Sequence, residues 1–323
     1  MSATQTPSWV AQVQNQSRLS FGLAVTHMAS EDESVVAISA DTLDLIGLRE
    51  MMETSPSRVI EAGIAEQNAM GIASGLATTG MRPHICGYAP FITARSMEQL
   101  RNDVAYANQR VVIGAACSGI TLGVSGGTHH AVEDLALLRC FPNMTVIVPA
   151  DALQAYHLTL ATAELDGPSY VRLGGRVEET PVSTADANPV IGKAEVLRQG
   201  SDITVMACGV LVNEALLAAE TLSAAGISVR VINMHTIKPL DRDAVLRAAA
   251  ETHGIVTAEE HHVTGGLGGA VAELVAAEHP TRMRFVGMPD EFCIVGPTAR
   301  VRQHYGLDAA NIVAQVQALV ELR

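Results

Sequence analysis

Short apolar runs of strand length alternate with longer stretches of helical spacing along this chain. Residues 17–30 predict a helix that turns Leu19, Leu23 and Met28 inward, and SVVAIS (Ser34–Ser39) predicts a buried strand. Val59 and Ile60 form a short strand that leads through Gly63 into a helix rich in Ala and Gly, with Glu66 in its first turn. A strand at Pro83–Cys86, a helix over 92–107 and a strand at Val111–Ala115 follow, then a Gly-rich loop from Cys117 to Thr128. A helix near Val132–Arg139, the strand MTVIVPA, a helix over Asp151–Glu164 with a capping Asp, and the strand SYVRL complete a first unit. The next stretch, 176–192, is polar and aperiodic with two prolines, and reads as a linker.

A second alternation follows. Strands are expected at Ile203–Ala207, Ser228–Ile232, Ile255–Ala258 and Met283–Val286, and helices at 211–225, 241–251, 267–278 and from about 308. Strands alternating with helices imply parallel sheets covered on both faces. The expected fold class is α/β, with two doubly wound domains at 1–180 and 190–323.

Composition narrows the function. Hydrophobic residues make up 48% of the 323 residues and aromatics only 3%, so the cores are built of Ala, Val, Leu and Ile. A net charge of −13 argues against nonspecific binding to nucleic acid or anionic membrane. No apolar run approaches the ~20 residues of a membrane span, and the first 17 residues lack the basic start and apolar core of a signal peptide. Five scattered cysteines without C-x-x-C suit reduced thiols, so a cytoplasmic location is expected.

Several familiar sites are missing from the sequence. There is no G-x-G-x-x-G (GGLGGAV at Gly265–Val271 only looks similar), no P-loop, no H-E-x-x-H and no G-x-S-x-G. The adjacent pairs His129-His130 and His261-His262 point apart, and no metal site is expected on this chain. Three features remain. Glu66 opening its helix reads, taken alone, first as a helix-dipole carboxylate with solvated neighbours. The loop Ser125–His130 is either a polar turn or the carrier of a proton-transferring imidazole. Tyr88 and Phe91 are either core or a stacking wall.

Taken together, four blocks resemble one family. RVIEAGIAEQNAMGIASGLATTG, PFITARSMEQLRNDVAY, GGTHHAVEDLALLRCFPNMTVIVPAD and DGPSYVRLGG are similar to the pyrimidine-binding domain of transketolases, most closely the split kind in which two chains make one enzyme. IKPLD and TAEEHHVTGGLGGAVAEL resemble the transketolase C-terminal domain. The resemblance implies thiamine diphosphate as cofactor. It matches Glu66 to the carboxyl that bonds the aminopyrimidine, Phe91 and Tyr88 to the aromatic wall, and Asp41 to an acidic residue of the cofactor cleft. His129 matches the loop histidine beside the substrate oxygens, and Arg172 and Arg18 match holders of a substrate phosphate.

The family's G-D-G…N segment for diphosphate and metal is absent from the sequence. The resemblance therefore implies an N-terminal-type partner subunit holding the diphosphate and Mg²⁺ (or Ca²⁺), in an α2β2 assembly acting on a sugar or sugar phosphate. Three positions depart from the family: Ser125 replaces an acidic reader of the donor, Cys117 a histidine, and Leu45 a phosphate-side serine. A ketol transferase is the first expectation. A 2-oxoacid-decarboxylating subunit and a noncatalytic subunit that keeps the fold are the alternatives.

Overall fold

A computed structural model describes residues 9–184 and 187–322. Two α/β sheets organise them. The first has seven strands: β1 (Val35–Ser39), β2 (Val59–Glu61), β3 (Arg82–Tyr88), β4 (Val112–Ala116), β5 (Thr145–Ile147), β6 (Ser169–Arg172) and β10 (Thr236–Lys238), in the order β10-β5-β6-β4-β3-β1-β2. The second runs β12 (Met283–Met288), β11 (Ile255–His262), β8 (Ile203–Ala207), β9 (Val229–Asn233), β7 (Glu195–Arg198).

All pairings are parallel except two at sheet edges, β10 on β5 and β7 on β9. These two short strands are additions to the expected set. Because β10 comes from the second half of the chain yet joins the first sheet, the two halves share backbone hydrogen bonds. Strands β1, β4 and β8 are buried at every position, which is why they read as unbroken apolar runs rather than alternating ones.

The stretch expected to form one helix over 92–107 winds wide instead. Phe91–Arg95 and Leu100–Tyr106 are π-helical turns around a short α-helical piece at Met97–Gln99. The first wide turn shows in the bond from Ser96 N–H to the Phe91 carbonyl, five residues back. Such turns are rare and concentrate at functional sites.

The described part of 176–192 contains no helix or strand, yet it is fastened near its middle, at Glu179, Val182 and Ser183. Val182 and Ser183 N–H groups donate to Asp151 Oδ2 at 2.8 and 2.6 Å. Glu179 accepts from the Ser17 hydroxyl at 2.6 Å and from Ser17 N–H at 3.1 Å, capping the first long helix, Ser17–Glu31, from outside. Among the described residues, no helix is long and apolar enough to cross a membrane.

Candidate active site

Two of the four described non-glycine residues with left-handed backbone lie where the first sheet's strands end. Asp41 follows β1 with φ +57°, and Cys117 follows β4 with φ +59°. Left-handed backbone in a non-glycine residue costs of order 1–3 kcal/mol and persists where surrounding structure holds it. Carboxyl ends of parallel strands are also where α/β sheets place ligands.

Tyr88 closes β3 at the same end, and Phe91 opens the wide turn behind it. Their rings lie edge to face at 6.1 Å, and His129 stands against both, 6.0 Å from Tyr88 and 5.2 Å from Phe91. The rings thus form one wall made from β3, the wide turn and the Gly-rich loop. His129 Nδ1 lies 3.0 Å from the Thr128 hydroxyl. No described residue bonds its Nε2, the nitrogen available to a ligand.

Glu66, the first residue of the Glu66–Thr78 helix, is buried, with 4% of its side chain exposed. Its Oε2 accepts from Arg95 Nη1 at 2.8 Å, and Oε1 has no hydrogen-bond partner among the described residues. The guanidinium carbon of Arg95 lies over the Phe91 ring, 4.2 Å from its centroid. Positions four apart share a face of a helical turn, which brings the two side chains together. Arg95 therefore couples the carboxylate to the aromatic wall. Sequence reasoning missed it; the signal available was an arginine four residues after a candidate stacking ring.

Tyr88 also lines a cleft of about 320 Å³ with Asp41, Leu45, Glu61 and Arg176. Asp41 is exposed there, and its N–H donates to Glu61 Oε1 at 2.7 Å. Arg18 is buried beside the cleft. Its Nε donates to the Gly175 carbonyl at 3.1 Å, and its other nitrogens bond the Leu45 carbonyl and Gln16 Oε1. Burial pulls its pKa down, Cys117 opposes that pull, and the charge of Arg176 adds to it. Cys117 is pushed up to about 11 by burial, against the pull of Arg18 and Arg176, so it is an un-ionised thiol at neutral pH. Neither Arg18 nor Arg176 has a carboxylate within ion-pair distance among the described residues. Ser125 sits exposed on the turn Gly123–Ser125 of the same loop as His129, with no bond joining the two.

Arg172 does not belong to this group. Its Nε and Nη2 grip Asp134 at 2.8 and 3.0 Å, and Nη2 also donates to the carbonyls of Ala131 and Glu260. Burial disfavours both charges, yet each holds the other ionised: Arg172 is raised above the usual arginine range, and Asp134 is held below the usual carboxylate range. Its fork is committed to the protein, so the expectation that it grips a substrate phosphate is corrected. Arg176, four residues on and exposed, makes no ion pair among the described residues, and the sequence reading did not single it out.

Residues 14–176 match the transketolase pyrimidine-binding domain, and residues 192–312 match the transketolase C-terminal domain. The chain belongs to the transketolase family. Among its relatives is a subunit of the apulose-4-phosphate transketolase of Phocaeicola vulgatus, 39% identical over 91% of this chain and 94% of that one. The 6-deoxy-6-sulfo-D-fructose transketolase subunit SqwH of a Clostridium species is also 39% identical, over 91% of each. A solved structure described as a split gene transketolase, inactive beta4 tetramer, superposes with a TM-score of 0.87 at 38% identity, covering 95% of this chain and 98% of that one.

Proposed function

We propose that this transketolase-family chain is one subunit of a two-chain, thiamine diphosphate-dependent ketol transferase. It acts with a second subunit that carries the diphosphate and Mg²⁺ (or Ca²⁺) site, two copies of each, in the cytoplasm. Both relatives named as transketolase subunits are matched nearly end to end, which supports the divided arrangement. Within the chain, 1–180 is the pyrimidine-binding unit and 190–323 the C-terminal one.

The observation that carries the reading is the buried carboxyl of Glu66, with one oxygen held by Arg95 and the other without a partner, beside the Phe91 ring. Oε1 is thus open to a donor from outside the protein, and an aminopyrimidine offers both a donor for that oxygen and a flat face for the ring. The residues therefore fit the group. Glu66 Oε1 would bond the pyrimidine, with Phe91 and Tyr88 walling it and Asp41 bordering the cleft. When bound, thiamine diphosphate supplies the nucleophilic carbon that takes a two-carbon ketol unit from a ketose, cleaved between C2 and C3, for transfer to an aldehyde.

The chain's own groups do the rest. His129, with Nδ1 at Thr128, has Nε2 to accept a proton from the donor's C3 hydroxyl and to return one to the acceptor's oxygen. Arg18 and Arg176 repel each other electrostatically, so an anionic substrate end between them relieves that repulsion, and the fork of a guanidinium matches phosphate. Ser125 and the thiol of Cys117 are smaller or less basic than the groups ordinary transketolases carry there, and Leu45 puts an apolar side chain where they carry a serine, which favours a substrate with fewer polar handles at those points.

The test is reconstitution. The chain alone has no turnover; adding the partner subunit, thiamine diphosphate and Mg²⁺ restores ketol transfer. Glu66→Gln in the assembled enzyme slows deuterium exchange at thiazolium C2 by at least tenfold. Full turnover by the isolated chain would sink the divided-site reading, and unchanged exchange would remove Glu66 from its role.

A further inference from the structure

Arg18 and Arg176 carry like charges, and the nearness of Arg176 disfavours the charge on Arg18. Arg18 is fixed by burial in the Ser17–Glu31 helix. Arg176 is exposed on the segment that leaves β6, where repulsion would carry it outward unless bonds opposed it.

Those bonds run to Ser17, the residue before Arg18. Glu179 Oε1 accepts from the Ser17 hydroxyl at 2.6 Å, and Oε2 accepts from Ser17 N–H at 3.1 Å. The Ser17 oxygen accepts in turn from Gly174 N–H at 2.8 Å. Glu179 N–H donates to the Asn15 carbonyl at 2.8 Å, and Arg18 Nε donates to the Gly175 carbonyl at 3.1 Å. The loop 174–179 is therefore fastened at both ends to one serine, with Arg176 between the ends. Its fit is close, since a Cβ on Gly174 would lie 2.1 Å from Glu179 Oε1. When ionised, the Glu179 carboxyl also favours the charge on Arg18, against the influence of Arg176.

We propose that Glu179 positions the anion grip: it clasps loop 174–179 to Ser17 and holds Arg176 near enough to Arg18 for both to bind one anionic group of the substrate. Glu179 touches no substrate in this role and acts through the arginines. The inference rests on the reading of Arg18 and Arg176 as holders of the substrate's anionic end. Without the clasp, binding an anion must first order the loop and bring two cations together against their repulsion. A role confined to capping the helix would lower stability and leave anion affinity alone.

The probe is inorganic phosphate, titrated by calorimetry into the reconstituted enzyme saturated with thiamine diphosphate and Mg²⁺, so that the cofactor's own anion site is filled. Native enzyme binds phosphate, and Arg176→Ala weakens that binding at least tenfold. Glu179→Ala weakens it at least tenfold as well, with thiamine diphosphate affinity unchanged. Glu179→Gln, whose amide oxygen still accepts from Ser17, binds phosphate at least threefold tighter than Glu179→Ala. Ser17→Ala keeps the backbone bond to Glu179 but loses the hydroxyl; it weakens binding at least threefold and decides the matter should Glu179→Ala fail to fold. Phosphate affinity that falls in Arg176→Ala but stays within twofold of native in the Glu179→Ala and Ser17→Ala enzymes overturns the clasp alone. Equal weakening in Glu179→Gln and Glu179→Ala assigns the effect to charge and overturns it too. No phosphate binding by native enzyme, or binding indifferent to Arg176, overturns the arginine reading and this inference with it.

Discussion

Replacing Arg95 by Met tests whether it positions Glu66 or merely covers Phe91. Methionine keeps an unbranched stem of similar reach, so what is lost is the guanidinium that donates to Glu66 Oε2 and lies over the ring. Removing one partner of a fully buried ion pair costs about 3–5 kcal/mol, because the other charge stays desolvated. Here Glu66 is 4% exposed but Arg95 is 47% exposed. Solvent screens the outer half of the pair, which brings the loss down to about 1–3 kcal/mol. Loss of the stacking contact adds about 0.5–1 kcal/mol.

If Arg95 acts through Glu66, much of this loss appears in cofactor binding, because the carboxyl is no longer held with Oε1 free. We expect the dissociation constant of thiamine diphosphate in the reconstituted enzyme to rise at least tenfold, ~1.4 kcal/mol, measured by fluorescence titration. Arg95→Lys, which keeps charge without the planar fork, recovers part of it. The double variant with Glu66→Gln separates positioning from bulk: in that background Arg95→Met adds little, since the group it positions is already changed. Strict additivity of the two substitutions, or cofactor affinity within twofold of native in Arg95→Met, refutes the reasoning.

The two arginines near the end of β6 are expected to fail in opposite ways. Arg176→Ala raises KM for a phosphorylated ketose tenfold or more with little change in thermal stability. Arg172→Ala leaves Asp134 buried without its cation and lowers stability by about 3–5 kcal/mol in urea unfolding; a stable Arg172→Ala with raised KM reverses the assignment. Burial raises the folded pKa of Glu179 to about 7, against 4.5 for an ordinary glutamate. Its contribution to stability is therefore full below about pH 4.5 and is lost as pH rises through 7, by up to about 3 kcal/mol at ~1.4 per unit. Glu179→Gln flattens that part of the pH–stability curve between pH 5 and 8, and an unchanged slope excludes Glu179 as its source.

The strands were readable because β1, β4 and β8 are buried on both faces and carry no charged residue, with only Ser39 and Thr204 polar among them. β10 and β7 were not: TIK has three residues and EVLR is half polar, so neither shows a period. The wide turn at Phe91–Arg95 left no periodic trace either, which hid the Arg95–Phe91 contact. For Arg172 the needed information was present in the alternation of β6. Tyr170 and Arg172 share one strand face, and both reach Asp134, the tyrosine hydroxyl at 2.6 Å. A guanidinium two residues from a core tyrosine has to find a buried acid, and Asp134 in AVEDLALLR was the one in reach. Family resemblance pointed to this stretch but not to which arginine faces outward, because that depends on where the strand ends.

The second half of the chain bears on the site through the loop that carries His129. The base of that loop is closed by paired bonds between Gly119 and Ala131, both 2.9 Å. Glu260, on β11, then fastens the base from the second sheet: its Oε1 accepts from Ile120 N–H at 3.0 Å, its Oε2 takes Arg302, and its backbone carbonyl takes Arg172. Gly119, at φ +62°, has no room for a side chain, since a Cβ would lie 2.2 Å from that carboxylate. The neighbouring Glu259 accepts from the N–H groups of Leu267 and Gly268 at 2.7 and 2.8 Å, so the helix start behind GGLGG is filled by the protein's own acid and is closed to a dinucleotide phosphate. The EEHH segment is thus an anchor. Its first acid caps a helix of the second half, its second holds the loop of the first, and His261 Nε2 accepts from Ala136 N–H at 3.2 Å, just beyond that loop. An imidazole two residues from so firmly tied a base is held in place by both halves, which ties the C-terminal half to the candidate site although none of its described residues lines the Glu66 wall.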